Sequence, residues 1–132
     1  MTRQPDQRPR AIVQSLYVAG PMTGYPMMNY PAFHGATYEL RELGFIVYNP
    51  VDVDQEKRYP TDHMTWQWYM RRTLRMLLLA EGVATLPRAE LSRGARVEIS
   101  IARILEMPVH PVNEWIVLGE HRANRERLGE GK

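Results

Sequence analysis

Short apolar runs alternate along this chain with stretches in which apolar residues return every three or four positions. Val13 to Ala19 is apolar except at Gln14 and Ser15 and stops at Gly20-Pro21, as a strand buried on both faces would. After Pro31, the residues Phe33, Ala36, Leu40 and Leu43 recur at helical spacing until Gly44. Phe45 to Tyr48 is a second strand closed by Asn49-Pro50, and the polar stretch from there to His63, with Pro60, has no clear period and reads as a loop. Trp66, Tyr69, Met70, Leu74, Leu77 and Leu78 set an amphipathic helix over residues 65–80, and Gly82 to Leu86 a third strand. Ser92 suits an N-cap, and Val97, Ile101, Ile104 and Leu105 then form the apolar face of a helix ending at Met107-Pro108. Val109 to Val112 is a fourth strand, and a fifth strand or a helix can follow near Trp115 to Leu118.

Strands alternating with helices imply a parallel sheet with right-handed crossovers. The expected fold is therefore α/β, a three-layer sandwich around a four- or five-stranded parallel sheet. Residues 11–118 make the domain, with a polar, basic arm over 1–10 and a charged tail over 119–132, where Arg122 to Leu128 can form a solvated helix.

Composition narrows the function. At 132 residues, 44% hydrophobic and 24% charged, the chain is the size of one soluble core. It has no cysteine, so disulfides, thiolate-bound metals and a cysteine nucleophile are excluded, and the expected compartment is the cytoplasm. No apolar run is long enough for a membrane span, so no membrane partner is expected. The net charge is +2 with arginines scattered among acids and apolar residues, which disfavours binding to a nucleic-acid polymer. His34, His63, His110 and His121 lack metal-ligand spacing. The Gly20 to Gly24 loop lacks the lysine of a Walker motif and the spacing of a dinucleotide fingerprint, so no cofactor is expected.

The loops after Gly20, Asn49 and Pro87 all follow strands, and in such sheets ligands bind at that carboxyl edge. Gly94, Ala95 and Glu98 fall in the first two turns of the helix opened by Ser92, where free amides favour negative charge. Glu98 is the best candidate for chemistry, set between Val97 and Ile99 so that it can face the cleft; an exposed surface glutamate is the ordinary alternative. One carboxylate without metal or cysteine suits displacement at an anomeric carbon through a glycosyl-enzyme ester. Tyr17 can orient that carboxylate, or simply fill core. Ser92 and Arg93 suit a phosphate, or are a plain cap beside a solvated arginine. Asn49, Asp52 and Asp54 can bond a base or sugar, although turn chemistry also explains them. Trp68, Met22, Met27 and Met28 can stack on a base, whereas Trp66 reads as core.

With these residues assembled, the chain resembles the nucleoside 2-deoxyribosyltransferase superfamily, flavodoxin-like and Rossmann-like in fold. Within it, the chain is most similar to a branch of small proteins of unknown function common in phage and bacterial genomes. The resemblance runs from about Leu16 to Trp115. It rests on Leu16-Tyr17-Val18-Ala19-Gly20-Pro21-Met22-Thr23-Gly24, Asn29-Tyr30-Pro31-Ala32-Phe33, Asn49-Pro50 and Ser92-Arg93-Gly94-Ala95-Arg96-Val97-Glu98.

The resemblance implies Glu98 as nucleophile, preceded by Gly94 and assisted by Tyr17, with Gly20, Pro21, Met22, Asn29, Asn49, Asp52, Ser92, Arg93 and Gly94 binding substrate. Six residues before that glutamate the transferases carry an aspartate for a free 5′-hydroxyl, and the related deoxynucleotide hydrolases a serine, as at Ser92. A serine beside Arg93 welcomes a phosphate that an aspartate would repel, so the implied substrate is a nucleoside 5′-monophosphate. The implied activity is N-glycosidic hydrolysis, with base exchange or nucleotide sequestration without catalysis as alternatives. Two departures bear on activity: Thr73 and Glu81 stand where the superfamily usually has aspartates. Relatives assemble, so a homodimer or homotetramer is expected, with helix 65–80 offering the interface.

Overall fold

A computed structural model describes residues 12–55 and 65–129, with side chains of 54 and 55 left out. The basic arm of residues 1–10, the Asp54 side chain, Pro60 and His63 lie outside the described residues. Strand β1 (Ser15–Ala19) is buried at all five positions, as expected of a strand inside a parallel sheet. It is flanked by β2 (Ile46–Tyr48) and β3 (Gly82–Thr85), and β4 (Val109–Pro111) completes the four-stranded order β2-β1-β3-β4. Every pairing is parallel, with Tyr17 opposite Tyr48 on one side and Val83 on the other.

The period of two along β1 divides the core. Leu16 and Val18 pack with Phe33 and Leu40 of α1 (Tyr30–Glu42), with Phe45, and with Trp115. Tyr17 and Ala19 point the other way, to Leu77 of one helix and Ala95, Ile99 and Ala102 of another. The three-layer α/β sandwich is therefore as the sequence predicted, with four strands. Helix α1 ends before Gly44, whose φ of 96° is a left-handed conformation that glycine adopts freely.

Four local expectations are corrected. The stretch after Asn49 holds a short helix, α2 (Val51–Gln55), because the Asn49 side chain accepts from the Val51 amide at 3.0 Å and Val51 and Val53 are buried. Five residues are too few to show a helical period.

On α3 (Trp66–Leu79), Met70, Thr73 and Leu77 face the core while Leu78 is exposed. On α4 (Arg93–Ile104) the buried face is centred elsewhere than expected, with Val97 and Ile101 only half-buried. Ala95, Glu98, Ile99 and Ala102 are buried, whereas Ile104 is 77% and Leu105 52% exposed. Tyr17 fills the space above the sheet, so small residues bring α4 close, and alanine hardly registers in a hydrophobic pattern.

Finally, α5 (Val112–Arg127) runs straight through the boundary drawn at residue 118. Trp115 is buried and donates to the Val83 carbonyl at 2.8 Å. A Cβ at Gly119 would lie 2.9 Å from Phe45, and Arg122 donates to the Val13 carbonyl at 2.8 Å. The charged tail is thus docked through two residues that carry no apolar pattern. Among the described residues, no helix is long and apolar enough to cross a membrane, and no group of three acidic or histidine side chains is placed to hold a metal.

Candidate active site

β1 and β3 are neighbours whose following helices, α1 and α4, cover opposite faces of the sheet. Such a switch point leaves a crevice at the carboxyl ends of the two strands. A cavity of about 640 Å³ lies there, lined by Tyr17, the loop after β1 (Gly20 to Thr23, Tyr25, Met28), Pro50, the first turns of α3 (Thr65, Trp66, Tyr69, Met70) and residues 91–95 and 98 leading into α4.

Glu98 forms its floor and is 5% exposed. Tyr17 donates its phenolic hydrogen to Glu98 Oε2 at 2.5 Å, a short charge-assisted bond joining central strand to helix. Burial pushes the Glu98 carboxyl up to about 7, against the pull of hydrogen bonds from Tyr17 and Thr73. Burial and then the neighbouring Glu98 charge hold the Tyr17 phenol well above its usual value, so it stays protonated as a donor.

The amino ends of α3 and α4 both open into the cavity. Thr65 caps α3 by accepting from the Trp68 amide at 3.0 Å, and Ser92 caps α4 by accepting from the Ala95 amide at 3.3 Å. The Arg93 guanidinium lies over the Trp66 ring, 3.7 Å from its centroid. Two helix dipoles and an arginine therefore make the mouth electropositive, while the floor holds a carboxyl of raised affinity for protons. Close packing builds this shape. A Cβ on Gly94 would lie 3.1 Å from Met70 Sδ, and one on Gly20 would lie 2.8 Å from Leu86.

The structure brings together Tyr17, Gly20, Pro21, Met22, Ser92, Arg93, Gly94 and Glu98. Asn29, Asn49 and Asp52 are not among the lining residues. Asn29 donates to the Pro21 carbonyl at 2.8 Å, steadying a left-handed run at Met27, Met28 and Asn29. Asn49 is buried under α2, with its amide nitrogen 3.4 Å from the His34 ring, and Asp52 is exposed. Trp66, expected in the core, lines the cavity. So do Tyr69 and Met70, which share its apolar stripe. That stripe packs on the sheet further along α3, but its first turn overhangs the strand ends. The Tyr69 hydroxyl bonds Met22 Sδ and the Pro50 carbonyl, each at 3.2 Å, tying two loops to the helix. Glu81 lies at the opposite, amino edge of the sheet. It accepts from the amides of Gln14 (2.7 Å) and Ser15 (3.0 Å), which lower its pKa.

The family model described as a domain of unknown function, DUF4406, matches residues 14–111, well over half of the chain. The chain belongs to the DUF4406 family. The match takes in all four strands and the Glu98–Tyr17 pair, so the site is built wholly within the DUF4406 domain. No curated protein matches the chain by sequence. Among solved structures, this DUF4406 fold is similar to a 2-deoxyribosyltransferase of Bacillus psychrosaccharolyticus, a psychrotolerant bacterium. The TM-score is 0.55 at 19% identity, over 72% of this chain and 69% of the other. At that identity the likeness establishes a shared α/β fold.

Proposed function

We propose that the protein is an N-glycosidase that releases the base from a (2′-deoxy)nucleoside 5′-monophosphate of the cytoplasmic pool. The observation that carries this reading is the buried Tyr17–Glu98 pair at the floor of a cavity whose mouth is formed by two helix amino ends and Arg93. The ionised Glu98 attacks C1′ of the sugar, and the carbon–nitrogen bond breaks with its electron pair going to the base, which takes a proton from solvent. Water then attacks C1′ of the glycosyl ester, loses a proton, and returns Glu98 as carboxylate. Tyr17 keeps its proton throughout and fixes the attacking carboxylate. Ser92, Arg93 and Gly94 take the phosphate, while Gly20, Pro21 and Met22 border the sugar and Trp66, Tyr69 and Met70 offer flat and polarisable surface to the base. Asn29 and Asn49 act by holding loops; Asp52 has no place in the cavity.

Base exchange between nucleosides is the second reading, favoured by the fold shared with the 2-deoxyribosyltransferase, whose reported use is the synthesis of nucleosides. Nucleotide binding without turnover is the third, favoured by Thr73. The experiment incubates purified protein with each deoxynucleoside 5′-monophosphate, alone and with a second free base, and follows bases by chromatography beside Glu98→Gln. Release that needs both Glu98 and the phosphate supports the hydrolase. New nucleosides from the added base point to exchange, and binding without either product to sequestration. For assembly into a homodimer or homotetramer, the exposed Leu78 and Leu79 of α3 and Ile104 and Leu105 at the end of α4 offer the apolar surface, and sedimentation equilibrium measures the outcome.

A further inference from the structure

Trp66 and Arg93 are the first residues of α3 and α4, directly after the caps Thr65 and Ser92. Both line the cavity, and the guanidinium carbon of Arg93 stands over the indole, 3.7 Å from its centroid. The two helix starts meet because residue 94 is glycine. A Cβ there would stand 3.1 Å from Met70 Sδ and 3.8 Å from Trp66 Nε1. Arg93 is exposed, and among the described residues its guanidinium has no hydrogen-bonding or ionic partner. Such an arginine samples many rotamers, and a phosphate that recruits it must first still them. Here the ring already confines it, while the N–H donors at the rim of the guanidinium stay free for a bidentate anion. The indole face that carries Arg93 is closed to a base.

We propose that Trp66 is a positioning residue that holds Arg93 at the cavity mouth as a preformed receptor for the 5′-phosphate, and so sets the preference for nucleotide over nucleoside. That role rests on the reading of Ser92, Arg93 and Gly94 as phosphate binders, and not on turnover.

Calorimetric titration in the Glu98→Gln background, where no base is released, compares each deoxynucleoside 5′-monophosphate with its nucleoside. The ratio of the two affinities is measured with Trp66→Leu, Trp66→Phe, Arg93→Ala and the double change of Trp66→Leu with Arg93→Ala. A cation over an aromatic face at an exposed site is worth about two- to fivefold in an equilibrium constant, so Trp66→Leu should lower the nucleotide preference by about that factor. Any damage to the cavity common to both ligands cancels in the ratio. Trp66→Phe, which keeps an aromatic face, should restore most of the preference. Once Arg93 is alanine, Trp66→Leu should lower the preference no further, since the ring has no guanidinium left to hold. A preference unchanged by Trp66→Leu overturns the proposal, and so does one that falls equally with and without Arg93. If the Glu98→Gln protein itself binds nucleosides as tightly as monophosphates, the phosphate reading falls and the role of Trp66 falls with it. Nucleotide preference that depends on both residues, in a protein whose wild type releases no base, leaves that role standing and removes only the glycosidase.

Discussion

Replacing Glu98 by glutamine keeps the side chain's size and leaves Tyr17 an oxygen to donate to, but removes an ionisation. In the folded protein that carboxyl titrates at about 7, against an ordinary value of 4.5. The folded state therefore holds its proton more tightly than the unfolded chain. The resulting stability is fully present below about pH 4.5 and is lost as pH rises through about 7. Across that window the loss amounts to roughly 3 kcal/mol, since each pH unit of displacement is worth about 1.4 kcal/mol. Because Glu98 is 5% exposed, solvent screening takes little from this figure. Glutamine cannot ionise, so Glu98→Gln escapes the loss. Urea unfolding followed by tryptophan fluorescence should give the two proteins equal stability near pH 4. By pH 9 the variant should be more stable by roughly 3 kcal/mol with an unchanged denaturant slope, or about 10 °C in Tm. The same variant should be inactive, so the site is kept at a cost in stability. Tyr17, whose phenol is held up in part by the Glu98 charge, is protonated in both proteins up to pH 9, so the other groups cancel in the difference over this range. Parallel stability curves from pH 4 to 9 would refute the claim that Glu98 is ionised against the preference of its surroundings.

Arg93→Ala should weaken binding of deoxynucleoside 5′-monophosphates by about tenfold or more and leave the matching nucleosides nearly unchanged, as calorimetric titration would show. Equal effects on both would remove Arg93 from phosphate recognition. Gly20→Ala places a Cβ 2.8 Å from Leu86 and should destabilise by about 1–3 kcal/mol in urea unfolding; an unaffected variant would mean that the two strand ends are not packed as described. Glu81→Ala removes a clamp on the start of β1, whose low pKa makes its contribution present at neutral pH and lost as pH falls through the carboxylate range. The clamp is exposed to water, so the expected loss is about 1 kcal/mol or less, with base release unaltered; a lost activity would place Glu81 in the chemistry.

The elements that pack on the sheet along their whole length were legible in the sequence. β1 shows as a run without polar interruption, α1 as an unbroken helical period, and the four parallel strands follow from their order. The buried face of α4 was not, because Ala95 and Ala102 do much of the packing and carry weak signals, while the larger Ile104 and Leu105 point away. In the site, Glu98 and Tyr17 were named from a motif and a strand end, but their contact joins positions 81 apart in the sequence. Trp66, Tyr69 and Met70 were misleading for a geometric reason: one apolar stripe serves as core where the sheet lies beneath it and as cavity wall beyond the strand ends. Asn49 and Asp52 carry the polar atoms a base would need, yet the Asn49 cap starts a helix that hides one and turns the other to solvent.

The most direct test of the central claim is to look for the glycosyl ester on Glu98. A 2′-fluoro deoxynucleoside 5′-monophosphate slows hydrolysis of such an ester, because fluorine destabilises the cationic character at C1′ in the transition state. After incubation and acid quench, mass spectrometry of the proteolysed protein should find the fluorinated sugar phosphate on the peptide containing Glu98, and no adduct in Glu98→Gln. Release of base with no adduct at any quench time, or an adduct on another peptide, would contradict the assignment of Glu98 as nucleophile.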